Sequence, residues 1–199
     1  MARTTIRSED ITSGAIDVPV SGIAGVSTFT SSGTWTKATR EAALGVTIKR
    51  VIVEVQGGGG TGRRDSGSSA GRNGGGGGGY ARKFLDVTGV TSATITVGGA
   101  SGTSIWNDGV NTNVQGTGGA NGPSSGSASG GIGSGGDINI QGGYGVGNSP
   151  GGGASYFGAT GRFNVSGTAV GYGTGGGGGD GSGPETGAPG IVIVTEIAG

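Results

Sequence analysis

Aromatic rings set among glycines are the side chains of this chain best suited to binding. Tyr144 and Tyr172 each lie between two glycines. Tyr156 and Trp106 also occupy glycine-rich stretches, in which much of the backbone carries no side chain. A ring beside bare main chain offers rigid contact area to a sugar or a protein at little entropy cost. These four residues are therefore candidate binding contacts. Trp106 also suits a place in the core, and for this residue we favour the core.

Three arginines add a second candidate contact in the long glycine loop 57–79. Arg63, Arg64 and Arg72 carry guanidinium groups, which suit the anionic sugars of a cell surface. The alternative is that they lie in solvent on a polar loop, as most surface charges do.

The residue types that most reactions need are missing or scattered. The chain has no histidine and no cysteine, so the usual proton shuttle at neutral pH and a thiol nucleophile are both absent. Glycine motifs of the nucleotide-binding kind, such as the one within 57–62, are expected by chance here, and no helix or phosphate-loop lysine follows them. Asp108, Asp137 and Asp180 are too isolated in sequence to propose a metal site. We predict no catalytic residue, no metal and no cofactor, and therefore a protein that is not an enzyme.

The charge and the apolar pattern exclude two further classes of partner. Twelve basic and twelve acidic residues cancel, so no net charge draws the chain to nucleic acid or to an anionic membrane. Residues 1–25 hold no uninterrupted apolar run, and no later stretch reaches the length of a membrane-spanning helix. We expect neither a nucleic-acid partner nor membrane insertion.

Short β-branched runs separated by bunches of glycine must position the candidate residues. Glycine makes up 55 of the 199 residues, but only 5 prolines and no regular Gly-x-y repeat are present, which excludes collagen. The clearest predicted strand is 48–55, in which Val51, Val53 and Val55 point to one face. The other predicted strands are a pleated ribbon over 27–35 and the runs 80–87, 93–97 and 191–197.

Several shorter pieces have no clear strand pattern. Residues 37–45 predict one helical turn or a compact loop. Islands of two to four residues at 104–106, 137–140, 155–157 and 162–165 lie in glycine and are too short for ordinary sheets. We expect these islands to pin the glycine segments to a core.

Glycine segments that are ordered must be held by their main chains. Each glycine loses more backbone freedom on folding than alanine does, by roughly 0.5–1 kcal/mol, and only 31% of the residues are hydrophobic. Two routes can offset this cost. Bare backbones can pack closely as extended polyglycine-II-like rods bonded to their neighbours, and several copies of the chain can share a buried core. We expect both.

The order of these pieces resembles the glycine-rich domain of bacteriophage tail fibres and tail-tip proteins. The resemblance covers about residues 28–197 and rests on the colinear order of the pieces. This chain departs from the pattern where residues 37–45 follow Thr36, and in its serine-rich loop over 116–135. The matching pieces are Phe29-Thr-Ser-Ser-Gly-Thr-Trp-Thr36, Arg50-Val-Ile-Val-Glu-Val-Gln-Gly-Gly-Gly-Gly60, Gly74–Gly79 with Tyr80-Ala81, Ala93-Thr-Ile-Thr-Val-Gly-Gly99, Gly136-Asp-Ile-Asn-Ile-Gln-Gly-Gly143, Gly151-Gly-Gly-Ala-Ser-Tyr-Phe-Gly158 and Gly187-Ala-Pro-Gly-Ile-Val-Ile-Val-Thr-Glu196.

The resemblance implies an all-β protein with an antiparallel β-sandwich-like domain over 27–199, long ordered glycine-rich loops and, commonly, a trimeric assembly. It implies a tail component of the virion, made in the host cytoplasm, that attaches the particle to a host surface glycan or outer-membrane protein. Residues 1–26 would be the virion-attachment segment that docks on a tail or baseplate protein. In that segment we expect the contacts to come from Arg3, Ile6, Arg7 and Ile11.

Two other functions remain open at this point. A structural tail adaptor or tip cap would share the fold and never meet a receptor. An ice-binding or matrix protein would need a regular threonine or alanine ladder, and the sequence has no such repeat.

Overall fold

The described residues form a mostly β structure. A computed structural model of the protein describes residues 22–63, 73–147, 151–159, 169–178 and 185–199. Within these ranges no helix is long and apolar enough to cross a membrane. The elements are β1 Gly22–Phe29, β2 Gly33–Thr36, α1 Lys37–Leu44, β3 Ile48–Gln56, β4 Tyr80–Asp86, β5 Ser92–Thr96, β6 Ser104–Asn107, β7 Val114–Gly116, β8 Gly133–Ser134, β9 Ile138–Ile140 and β10 Ile191–Ala198.

The strands build two five-stranded antiparallel sheets, an arrangement consistent with a β-sandwich. The first sheet has the order β1-β10-β3-β4-β9, and the second has the order β2-β5-β6-β7-β8. One cluster of buried side chains combines residues of both sheets, so the core lies between them. It includes Val53 and Val194 from the first sheet and Trp35, Ile95 and Trp106 from the second. The predicted antiparallel β class is confirmed.

Strand β3 shows how the sequence alternation sets the core. Val51, Val53 and Val55 are fully buried and belong to the core cluster. Ile52 and Glu54 lie on the opposite face and are half-buried. The predicted orientation of this strand is confirmed, because side chains of a strand alternate between faces.

The predicted ribbon over 27–35 is wrong as a single strand. Its first part belongs to β1, which pairs with β10 in the first sheet. Its last part belongs to β2, which pairs with β5 in the second sheet. The alternation continues through residues 30–32 although the chain bends there, because a period of two reports the face of a strand and not the sheet it joins.

The short islands are also more regular than predicted. Residues 104–107 form β6, which pairs with both β5 and β7, and residues 138–140 form β9 at the edge of the first sheet. Each of these short strands pairs with one longer strand, β6 with β5 and β9 with β4, which presents a row of hydrogen-bonding groups. Residues 155–157 make only an isolated bridge, Ser155 to Gly158. The island 162–165 lies outside the described residues.

Residues 37–44 form a helix of two turns, α1, where one turn or a loop was predicted. It ends at Gly45, whose φ of 69° lies in the left-handed region. The Gly45 N–H donates to the Glu41 carbonyl at 2.8 Å. Glycine is favoured at this position because a Cβ would be strained there.

The described chain begins in β1, so residues 22–26 of the predicted attachment segment are part of the first sheet. Gly22 pairs with Ala198, and Ala198 pairs with Ile48 at the start of β3. The glycine segment that follows β3 begins nine residues after Ile48, at Gly57. At about 3.3 Å per residue, the entry point of the chain and the glycine segments are about 30 Å apart, at opposite ends of the first sheet.

Candidate binding surface

Glycine-rich segments gather at one end of the two sheets. They continue directly from β3 and β7 and lead directly into β4 and β10. Most of their glycines are buried although they have no side chain. We call this assembly the glycine array, and its segments are 57–62, 74–79, 99–102, 117–122, 129–131, 142–146, 151–154, 173–178 and 185–190.

The central segment of the array, Gly74–Gly79, is bonded to its neighbours with a period of three residues. Its six N–H groups donate to carbonyls of three other segments at 2.7–3.2 Å. Every third N–H points to the same neighbour, as expected of an extended backbone with three residues per turn. Gly74 and Gly77 donate to 143–146, Gly75 and Gly78 to 173–176, and Gly76 and Gly79 to 117–120.

The carbonyls of the same segment accept from three further segments. Gly75 accepts from Gly153, Gly77 accepts from Gly131, and the segment 57–60 donates through Gly57 and Gly60. Six segments therefore surround Gly74–Gly79. All six N–H groups and four of the six carbonyls of Gly74–Gly79 are bonded to other main chains, which meets most of the requirement for burying backbone away from water.

The close approach of the backbones explains why these positions are glycine. A Cβ added at Gly77 would lie 1.9 Å from the Ala154 carbonyl oxygen, and one at Gly59 would lie 1.9 Å from the Thr174 carbonyl oxygen. Both distances are far shorter than a van der Waals contact, and the blocking atom in each case belongs to rigid backbone. An alanine at either position requires the neighbouring segment to move.

One buried side chain joins β3 to the array. Gln56 is fully buried at the last position of β3. Its Nε2 donates to the carbonyls of Gly78 and Gly79 at 2.9 and 3.1 Å. The side chain thus fixes the start of one glycine segment against the end of another.

An aromatic cluster lies where the array meets the first sheet. The ring of Tyr156 stacks on that of Tyr80 with centroids 4.0 Å apart, and Phe157 packs edge-on against both rings. Tyr80 is buried, whereas Tyr156 is 55% exposed. An exposed ring held flat on a buried one is a rigid platform for a flat apolar ligand face, because stacking has already fixed its rotamer.

Tyr80 is itself held by a carboxylate of the neighbouring strand. Its hydroxyl donates to Glu54 Oε1 at 2.6 Å. Burial, together with this hydrogen bond, raises the pKa of Tyr80 well above its ordinary value. The Tyr80 hydroxyl therefore remains a neutral donor to Glu54.

Sequence reasoning missed Tyr80 as the support of this platform. A signal was present, since Tyr80 directly follows six glycines and opens a strand.

The sequence-predicted contacts do not gather into one site. Tyr144 is 60% exposed on the flank of the array. Tyr172 is half-buried near the aromatic cluster, and its carbonyl accepts a hydrogen bond from the Ser155 hydroxyl. Arg63 is exposed just after the segment 57–62, and its backbone N–H donates to the backbone carbonyl of Asn73.

Trp106 lies in the core, as favoured above, and its prediction as a binding contact is wrong. Its side chain is fully buried on β6. The ring packs against Trp35 with centroids 5.4 Å apart, and its Nε1 donates to Asp108 Oδ2 at 3.1 Å. No ring atom is therefore available to a partner in solution. The remaining predicted contacts, Arg64 and Arg72 of the loop and Arg3, Ile6, Arg7 and Ile11 of the attachment segment, lie outside the described residues.

The described residues of the array and of the aromatic cluster present mainly backbone and aromatic rings. Within the described ranges, no three Asp or Glu residues come together in a way that could hold a metal ion. The described part of the chain is thus a mostly β structure that presents an ordered glycine array. Comparison with protein-family models and with curated proteins finds no match to this chain.

Proposed function

We propose that this chain is a noncatalytic bacteriophage tail-fibre or tail-tip protein that attaches the virion to the surface of its host. The observation that carries the proposal is the ordered glycine array at the end of the domain opposite to the entry of the chain. In such a protein, the amino-terminal segment would face the tail or baseplate. The array would face a surface glycan or an outer-membrane protein of the host.

The glycine array in this proposal is a bundle of polyglycine-II rods on a β-sandwich. The threefold repeat of its hydrogen bonds supports this description, since a polyproline-II-type helix has three residues per turn. Rods held by their main chains allow the connecting tips to vary in sequence, because hydrogen bonds between main chains do not depend on the side chains of the tips. Specificity would lie in the tips and in the exposed rings, as is common for loops on a rigid scaffold.

A trimer is the assembly that we propose for the virion. Each tip offers only a few rings and backbone groups, and a single contact of that size is weak. Three linked copies would raise the apparent affinity through effective concentration without any new contact. The protein would be made in the host cytoplasm and incorporated into the tail.

Binding of the purified, fluorescently labelled chain to bacteria tests the proposal. We expect binding to strains that the phage infects, weaker binding to resistant strains and slower phage adsorption in the presence of excess protein. Saturating protein that neither binds cells nor slows adsorption would overturn the attachment function and favour a tail adaptor or tip cap.

Single substitutions locate the contact surface in the same assay. Tyr156→Ala and Tyr144→Ala each remove an exposed ring of the array, and we expect a several-fold loss of cell binding from at least one of them. Val110→Ala is the matched control, because Val110 is 68% exposed in the turn after β6 and away from the array. An equal loss from the control would indicate a general effect of surface change.

A further inference from the structure

The outer face of the first sheet is more apolar than a solvent-facing sheet should be. By the strand register, one row across this face is Val26, Thr195, Ile52 and Phe84. We define the outer apolar face by Ile23, Val26, Ile52, Phe84, Ile138 and Ile140. All six side chains lie on the face of the sheet opposite to Val51 and Val53, because residues paired across strands share a face and successive residues alternate.

Several of these side chains are strongly exposed. Ile23 is 73% exposed, Val26 55%, Phe84 51% and Ile138 47%. A groove of about 220 Å³ crosses the face, lined by Ile52, Phe84 and Ile138 with Arg82 and Asp137. Exposed apolar patches of more than a few hundred Å² mark interaction sites in soluble proteins.

The second sheet provides an internal comparison. Its outward rows pair Thr34 with Thr94 and Thr94 with Asn107, and Gln115 with Ser134. Those side chains are polar, as is usual for an antiparallel sheet with one face in water. The row of Gln115 also holds Ile105, which is half-buried. The same chain thus uses polar residues where a sheet meets solvent, and it does not do so on the first sheet.

The charges on the outer apolar face balance each other across the strands. Glu54 is paired by register with Arg82, and Arg50 is paired with Asp86. Asp137 at the edge adds one acidic group, so the charges of the face nearly cancel and give little steering toward a strongly basic or acidic partner. It is suited to contact with a surface of the same composition.

The size of the face fits association between copies of the chain. With strands about 4.8 Å apart and residues about 3.3 Å apart, the whole outer face of the five-stranded sheet has a projected area of roughly 500 Å². A stable interface buries about 800 Å² on each partner, and a corrugated side-chain surface exceeds its projection. A shared apolar interface also offsets part of the ordering cost of the many glycines.

We propose that the outer apolar face of the first sheet is the surface through which copies of this chain associate. The inference rests on the assembly of several copies in the proposed function and identifies the surface through which those copies make contact. It does not depend on the identity of the receptor.

Molar mass by light scattering, measured over a wide concentration range, tests the interface. For the wild-type chain we expect the molar mass of an oligomer, a whole-number multiple of the 18.7 kDa of one chain and larger than that of the monomer. Phe84→Arg places a charge in the interface. We expect the protein concentration at which half of the oligomer has dissociated to rise at least tenfold. Val110→Arg is the matched control, since Val110 is also more than half exposed and lies outside the face, and it should leave the midpoint unchanged.

A second readout uses the lack of cysteine in the chain. An environment-sensitive dye on Ile138→Cys should shift to the blue as the protein associates, and the same dye on Gln115→Cys of the second sheet should not. The two sites report on opposite outer faces of the same domain. If Phe84→Arg fails to fold, Ile140→Lys at the sheet edge replaces it.

Three outcomes would overturn the inference. They are a wild-type chain that stays monomeric at all concentrations, an oligomer that resists both interface substitutions, and a dye on Ile138→Cys that is shielded at every concentration. The last result would mean that another part of the same chain covers the face. Cell binding of the same samples separates this inference from the attachment function, since a monomer that still binds cells refutes only the interface.

Discussion

Arg40 of α1 and Glu196 of β10 form an ion pair that joins the helix to the first sheet, with 2.9 Å between Arg40 Nε and Glu196 Oε1. Glu196 is fully buried and points toward the core side of its strand. Trp35 Nε1 donates to the same carboxylate at 3.2 Å, and the Ser27 hydroxyl donates to it as well. Residues from β1, β2, α1 and β10 therefore meet at one buried charge.

Removal of the arginine should destabilise the domain. Arg40→Met leaves the buried carboxylate without its cation, which costs about 3–5 kcal/mol in fully buried pairs. Because the Arg40 side chain is partly exposed, we expect a smaller loss of about 2–3 kcal/mol in the free energy of unfolding. Denaturant titration measures this loss, with Lys49→Met on exposed β3 surface as the control. A change below 0.5 kcal/mol, the usual range for surface substitutions, would contradict the role of the pair.

A single methyl group in the glycine array should have a large effect. Gly77→Ala places its Cβ 1.9 Å from a backbone oxygen, and we expect a loss of about 3 kcal/mol or more, as for other overpacked interiors. Gly99→Ala is the matched control, because a Cβ there meets no atom within 4 Å. Thermal unfolding of the two variants gives the comparison. Equal melting temperatures would show that the array is not closely packed.

The amides of the central glycine segment should exchange slowly with solvent. The N–H groups of Gly75–Gly79 are buried and bonded to neighbouring segments, and their exchange requires the array to open. We expect at least a hundredfold slower exchange than at Gly126, which is exposed in the loop between array segments. Nuclear magnetic resonance of glycine-labelled protein measures both rates. Fast exchange throughout the segment would refute the ordered array.

Acid should weaken the turn after β6. Burial alone would raise the pKa of Asp108, but hydrogen bonds from Asn111, Val110 and Trp106 outweigh it and lower the pKa below its ordinary value of 3.8. The depressed pKa contributes stability above pH 3.8, and that contribution is lost as the pH falls through the lower folded-state value.

The variant Asp108→Asn isolates this effect. Between pH 5 and pH 2, the wild-type free energy of unfolding should fall more steeply than that of Asp108→Asn, because the amide does not titrate. Denaturant titrations at several pH values in this range provide the measurement. Parallel profiles would exclude a contribution from Asp108.

Local pattern alone determined the longer strands and their core faces. The alternation over 48–55 correctly predicted which residues of β3 are buried, because a strand turns successive side chains to opposite faces whatever surrounds it. The bunching of glycine likewise indicated backbone that packs without side chains. The apolar run 191–194 carried a further signal, since a strand that is apolar on both faces has no solvent-facing side.

Tertiary structure alone decided which distant pieces meet. The ribbon over 27–35 divides between two sheets, and the island at 104–106 becomes a strand, because partners far along the chain supply the hydrogen bonds. Nothing near Glu196 in sequence indicates that Arg40 will neutralise it or that Trp35 will donate a hydrogen bond to it. The neighbours of Gly74–Gly79 are likewise fixed by where each strand ends, since identical glycine segments carry no side chains that could specify their partners.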